Sequence, residues 1–176
     1  MAEPIEIDVW QGEIAELEVD AIVVAANESL FMTAGAGAAV KRAGGEQIER
    51  AAVDQGPIRP GSAVATGGGS LVAPYVIHAV AVGHDRRADP DALASAIRAV
   101  LAFAGPLQLR RMAMAPLGVE HGAFTAADAA RIVVSTLLAE APSTPVETIV
   151  LAAPHAAEVR ALSDALQAAG AGAGSR

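Results

Sequence analysis

The sequence predicts an α/β fold in which a sheet is covered by helices, and three observations carry that reading. The run 21–26 is continuously apolar and rich in β-branched residues, and 75–82 is apolar apart from His78, the pattern of strands buried on both faces. Amphipathic segments with helix-start signals alternate with such runs, as in a sheet sandwiched between helix layers. The composition is 53% hydrophobic but only 3% aromatic, so Ala, Val, Leu and Ile must fill the interior and helices must lie close to the sheet. With 176 residues the chain has the length of one domain, usually about 100 to 200 residues, which sets a single domain over 1–169 and a disordered tail over 170–176.

The elements follow in chain order. Ile5, Ile7 and Val9 alternate with Glu6 and Asp8, the two-residue period of a half-buried strand near a sheet edge. The run 21–26 stops at Asn27. Small residues over 33–39 then lead into a helical pattern with Val40, Ala43 and Ile48 inward, weakened or bent at Gly44-Gly45. Gly56-Pro57 and Pro60-Gly61 mark turns, 62–66 is a short strand, and 67–69 is a glycine turn before the strand 75–82. Asp89-Pro90-Asp91 suits a helix start, since Asp89 can cap and Pro90 fits the first helical position. Leu93, Ile97, Val100, Leu101 and Ala104 form its apolar face. A strand over 112–115 precedes Thr125-Ala126-Ala127-Asp128, which resembles a capping box with Asp in place of Glu. That helix carries Ile132, Val133, Thr136 and Leu137; a last strand over 148–152 and a last helix over 156–168, with Val159, Leu162 and Leu166 inward, complete the domain.

Charge and cysteine content narrow the function. A net charge of −8, from 20 acidic and 12 basic residues, repels polyanions and argues against broad nucleic-acid binding. A small anion can still be held locally by backbone N–H groups. The absence of cysteine removes disulfides, thiolate nucleophiles and thiolate metal sites. His78, His84, His121 and His155 show no metal-ligand spacing, and no metal or cofactor is expected. Residues 1–9 lack the basic start and apolar stretch of a signal peptide, and the apolar runs fall short of the roughly 20 residues that span a bilayer. A soluble, cytoplasmic protein without a membrane partner is expected; nothing in the sequence sets its oligomeric state.

Ligands of α/β sheets gather beyond the carboxyl ends of strands, where loops enter helices. Two loops qualify, 27–39 and 117–124. A dinucleotide fingerprint is a poor fit to the first, because Gly35-Ala36-Gly37-Ala38-Ala39-Val40 begins eight residues after Asn27 and lacks the third glycine. His78 lies in an apolar strand and reads as a hydrogen-bonded core residue.

Gly12-Glu13-Ile14 and Val19-Asp20-Ala21-Ile22-Val23-Val24-Ala25-Ala26-Asn27 resemble the G-D-I and V-D-A-I-V-N-A-A-N segments of the macrodomain family. The small-residue loop followed by Lys41-Arg42-Ala43-Gly44-Gly45 looks like that family's glycine loop and helix, and 57–65 and 76–80 are similar to its central segments. The resemblance runs from about Ile5 to Ala152. It implies a three-layer αβα sandwich with a central mixed sheet and an ADP-ribose cleft.

Carried over by position, Glu13 and Ile14 would meet the adenine, with Glu13 replacing the usual Asp. Asn27 would contact the distal ribose; as a plain turn residue it would instead cap the strand end. Gly35, Ala36, Gly37 and Ala38 would wrap one side of the diphosphate, and Gly118-Val119-Glu120-His121-Gly122-Ala123-Phe124 the other. Glu120 would repel the diphosphate unless it points away, whereas a protonated His121 would help; both could equally be solvated loop residues. Pro154 or His155 would stack on the adenine. Gly37 stands where ester-hydrolysing members carry an Asp that helps activate water, and glycine cannot accept that proton. The resemblance therefore implies an ADP-ribose-binding domain with weak or no hydrolase activity. The alternative is an ADP-ribose 1''-phosphate phosphatase or ADP-ribosyl ester hydrolase using Asn27 with Glu120 or His121.

Overall fold

The computed structural model describes residues 3–171. A six-stranded sheet in the order β1-β6-β5-β2-β4-β3 forms the centre, from β1 (Glu6–Gln11), β2 (Ala21–Ala25), β3 (Ser62–Gly67), β4 (Tyr75–Val80), β5 (Arg111–Met114) and β6 (Thr148–Ala153). Only β3 runs antiparallel to its neighbour, so the sheet is mixed. The first strand lies at an edge, as its alternating pattern requires, and five parallel strands end on one side of the sheet.

The alternation of side chains along β2 explains the layers. Ala21 and Val23 enter a core shared with α3 (Pro90–Leu101), α4 (Ala126–Glu140) and α5 (Ala156–Ala168). Ile22 and Val24 enter the opposite core, with Val40 of α1 (Gly35–Gly44) and Ile48 of α2 (Glu46–Val53). The result is the three-layer αβα sandwich. Among the described residues the largest fully buried side chains are Ile, Leu and Met, in line with the scarcity of aromatics. Each contributes about 1.5–3 kcal/mol through burial.

Local signals set the element ends. Asp89 Oδ1 accepts from the amides of Asp91 and Ala92 at 3.0 and 3.2 Å, starting α3 as expected. Asp20 Oδ2 accepts from the amides of Arg110 and Arg111, both at 2.8 Å, and so ties the start of β2 to the start of β5. At Thr125 only half of the capping box forms. Its hydroxyl accepts from the Asp128 amide at 3.1 Å, but the Asp128 carboxylate turns to Arg131 at 2.8 Å, being too short to reach back comfortably.

The helical pattern after residue 35 is two helices rather than one bent helix, because Gly45 takes φ 109° between α1 and α2. Ala43 is exposed, contrary to expectation, and Gly44 is buried in its stead, where a Cβ would strike Ile48 and press on Leu71. The strand 75–82 ends as a strand at Val80. Gly170, at φ 72°, and Ala171 close α5, with the Ala171 amide donating to Leu166 O at 3.2 Å. The tail expected over 170–176 lies outside the described residues from 172 on. Among the described residues no helix is long and apolar enough to cross a membrane.

Candidate functional site

The carboxyl ends of all five parallel strands open into one cleft of about 700 Å³, within the size range of small-molecule sites. Its walls come from Gly12 to Ile14 after β1, Ala25 to Asn27 and Phe31 to Ala36 after β2, Val82 to His84 with Arg86 after β4, Ala115, Pro116 and Val119 to His121 after β5, and residues around Pro154 and His155 after β6. Ala39 and Arg42 extend the wall along α1.

The first loop is built to present its backbone. Asn27 Nδ2 donates to Phe31 O at 2.9 Å and the Leu30 amide donates to Asn27 O at 3.0 Å, so the residue does cap the strand end. Its Oδ1 nonetheless stays buried without a partner among the described residues, on a side chain that lines the cleft. Ala34 precedes helix α1 and no side chain caps it among the described residues, so its first amides can receive an anion. Gly35 takes φ 57° and a Cβ there would meet nothing within 4 Å, so the space before the helix is open.

Glu49 on α2 pins this loop. Its Oε2 accepts from the Met32 amide at 2.7 Å and from Lys41 Nζ at 3.0 Å. The Met32 N–H, joined by Lys41, holds the Glu49 carboxyl below the usual carboxylate range against an opposing effect of burial.

At the β1 end, Glu13 is exposed and Ile14 is buried, yet both line the cleft. A Cβ on Gly12 would collide with the indole of Trp10, which accounts for glycine at that position. Beside them, where the Gly12 amide donates to Ala153 O at 3.0 Å, Pro154 and His155 also line the cleft, and His155 precedes α5 without a side-chain cap among the described residues.

The second loop differs in construction. Gly118 at φ 91°, His121 at φ 55° and Gly122 at φ 69° put three left-handed residues around a 3₁₀ turn, Glu120–Gly122. The Phe124 amide donates to Gly118 O at 3.0 Å and closes it. His121 is exposed, whereas both carboxylate oxygens of Glu120 are buried without a partner among the described residues. Burial pushes the Glu120 carboxyl above its usual range; the backbone N–H groups of Glu120 and Gly118 oppose the shift, though neither forms a well-made hydrogen bond to it.

The structure thus gathers Glu13, Ile14, Asn27, Gly35, Ala36, Val119, Glu120 and His121 at one cleft. Other expected residues stand behind its walls. Gly37 is buried, its Cβ direction facing Ala25 O and Met32 at 3.8 Å, and Ala38 is likewise not a lining residue. Gly118 is packed on Leu93 and Phe124, Phe124 turns to the core shared with α3 and α4, and Gly122 and Ala123 do not line the cleft either. His78 is a core residue as read, its Nε2 2.9 Å from Thr66 Oγ1, and burial lowers its pKa to about 4.

Several lining residues escaped the sequence reading. Phe31, 49% exposed, projects at the cleft, as do His84 and Arg86 from the connection after β4. His84 is steadied by its amide donating to Glu28 Oε2 at 2.6 Å. Strand parallelism could have found them, because it brings the β4 connection to the same edge as the two loops.

Comparison with known proteins places this architecture. A profile described as Macro domain matches residues 23–133. A macro domain-containing protein of Cupriavidus necator is 42% identical over 146 residues, covering 77% of this chain and 84% of that protein. An uncharacterized protein of Mycobacterium tuberculosis is 36% identical over 164 residues, 93% of this chain but 45% of its own length; the chain spans about half of the mycobacterial relatives it matches. Among solved structures, a mutant Oceanobacillus iheyensis macrodomain with ADPR superposes with TM-score 0.87 at 18% identity, covering 96% of each chain. The Trypanosoma brucei macrodomain in complex with ADP-ribose gives 0.83 at 24% identity, over 92% of this chain and 69% of that one.

Proposed function

The chain belongs to the Macro domain family, and from that premise we propose that its cleft binds ADP-ribose or a closely related ADP-ribosyl metabolite or modification, with weak or no hydrolase activity. The observation that carries the reading is the convergence of five strand ends on one cleft with an uncapped helix start at its side. In this reading Glu13 and Ile14, with Pro154 and His155 beside them, hold the adenine. The amides beginning α1 at Gly35 and Ala36, with the second loop from Val119 to His121 opposite, flank the diphosphate. Asn27 offers its free Oδ1 to a hydroxyl of the distal ribose. An overall charge of −8 keeps extended nucleic acids away while these local donors hold one small anion.

Weak turnover follows from the chemistry of position 37. A general base contributes about 10²- to 10⁴-fold, and Gly37 offers none. A nucleotide ligand of this kind goes with a cytoplasmic setting. Calorimetric titration with ADP-ribose, AMP and NAD tests the proposal, with Trp10, the only tryptophan, as an optical reporter beside Gly12. ADP-ribose should bind most tightly and raise the melting temperature, by an amount equivalent to about 2.7 kcal/mol at one hundred times Kd. No heat, no fluorescence change and no thermal shift at saturating ADP-ribose would contradict it.

A further inference from the structure

Glu120 poses a problem that the fold does not solve. Both its carboxylate oxygens are buried and unpartnered among the described residues, although the residue belongs to the wall of a cleft suited to anions. Buried acceptors without partners are costly, and an ionised carboxylate in that place would also repel a diphosphate. The loop gives the side chain a fixed seat: Gly118, His121 and Gly122 are left-handed, the Gly122 amide donates to Val119 O at 3.1 Å, and Gly118 is wedged against Leu93 and Phe124. A neutral carboxyl in that seat has what an ionised one lacks, an O–H donor.

We propose that Glu120 serves the cleft as a neutral carboxylic acid, donating its O–H to an anionic oxygen of the bound ADP-ribosyl group, so that ligand binding takes up a proton. The inference rests on the ADP-ribose reading above. One proton from solvent joins one carboxylate oxygen as the ligand enters, and no bond of the ligand is made or broken. Burial already favours the neutral form in the free protein, and a neighbouring diphosphate favours it further. The charged and titratable groups on the surrounding elements are His121 on the loop itself, Asp128 at the start of α4, and His155 and Glu158 at the start of α5. His84 and Arg86 come from the β4 connection, and Glu13 and Arg42 face from across the cleft. Among the described residues none of them bonds to Glu120.

The sign is set by linkage. Affinity is greatest below the free-state pKa of Glu120 and falls as pH rises, by up to about tenfold per pH unit between the free and bound values. The decisive comparison is with Glu120→Gln, which keeps the shape and a donor but cannot ionise. ADP-ribose is titrated calorimetrically into both proteins from pH 5.5 to 8.5, in buffers of different ionisation enthalpy. The wild type should weaken as pH rises, by up to about tenfold per pH unit, and take up a proton; Glu120→Gln should show a shallower slope and a smaller uptake, with affinity at pH 5.5 kept. An unchanged slope and proton uptake in the variant, or a folded variant that binds tenfold weaker at every pH, would overturn the inference. Should the variant not fold, the Glu120 carboxyl carbon is followed by NMR in the wild type. A protonated signal that persists to higher pH in the complex supports the proposal, and a titration unmoved by ADP-ribose overturns it. Failure of the wild type to bind at any pH would instead remove the ADP-ribose reading, and this inference with it.

Discussion

The two loops that face each other across the cleft solve the same physical problem by different means. The stretch 27–36 is neutral apart from Glu28, ends in an uncapped helix, and is tied from outside by Glu49 through the Met32 amide. The stretch 117–124 has no long helix at the cleft; it relies on three left-handed residues and buries a carboxyl without a well-made hydrogen bond among the described residues. A site made of backbone donors works at any pH, whereas a site that includes a buried acid depends on where that acid's proton is. The first loop should therefore set whether an anion binds, and the second the conditions under which it does.

The largest break in this comparison is expected from Gly35→Glu. The position opens into space now free of protein atoms, and a carboxylate there would take the anion's place. Affinity for ADP-ribose should fall at least a hundredfold. The left-handed φ of 57° costs a side chain only about 1–2 kcal/mol, so the variant should still melt cooperatively. Full affinity in the folded variant would move the anion site elsewhere.

Next in size is Glu49→Ala, which frees the Met32 amide without touching the cleft wall. Affinity should drop about tenfold, in keeping with a lost charge-assisted hydrogen bond of roughly 1.5–3 kcal/mol, part of which falls on stability. Amide exchange at Met32 should quicken; exchange at the wild-type rate would show that the loop needs no such tie.

Much of the first loop was legible in the sequence, and little of the second. Glycines and small residues ahead of an amphipathic stretch announce an open helix start, and the apolar run ending at Asn27 places it at a strand end. The second loop turns on His121, a non-glycine residue at positive φ, and on burial of a charged residue, neither of which leaves a mark in composition or periodicity. The same holds for strand direction: the pattern of β3 and β4 gave two strands, but their antiparallel pairing depends on the turn between them. Lining residues such as Arg42 and Arg86 escaped notice because a lone arginine carries no spacing.

A smaller effect is expected from Gly37→Asp. The backbone at this position is helical rather than left-handed, and the Cβ direction meets atoms only at 3.8 Å, so the side chain can be built. Release of ADP-ribose from an ADP-ribosylated protein should rise about tenfold, below the full general-base effect of about 10²- to 10⁴-fold because the position points behind the wall. Turnover at the wild-type level would mean that the missing carboxylate is not what limits catalysis. Fast wild-type turnover abolished by Glu120→Gln or His121→Ala would favour the hydrolase alternative.

The last effects fall on folding stability rather than on the ligand, and there two buried groups act with opposite sign. His78 has a pKa lowered to about 4, so the unfolded chain binds its proton more readily, and the stability due to its neutral burial, about 3 kcal/mol, is lost as pH falls from 6.5 towards 4. For Glu120 the folded pKa is raised; its favourable contribution is present below the unfolded value near 4.5 and fades as pH rises through the folded one. Thermal melts from pH 4 to 8 should show Glu120→Gln gaining on the wild type as pH rises above about 4.5, the gain levelling off above the folded value. A constant offset between the two would mean that Glu120 carries the same proton load folded and unfolded.

The central claim is that both loops close on one ligand, and amide NMR of the isotopically labelled protein tests it most directly. Saturating ADP-ribose should shift amides of both 33–36 and 118–121, together with the Trp10 indole, while the edge strand β3 on the far side of β4 stays unmoved. Shifts confined to one loop, or absent from both, would contradict the account.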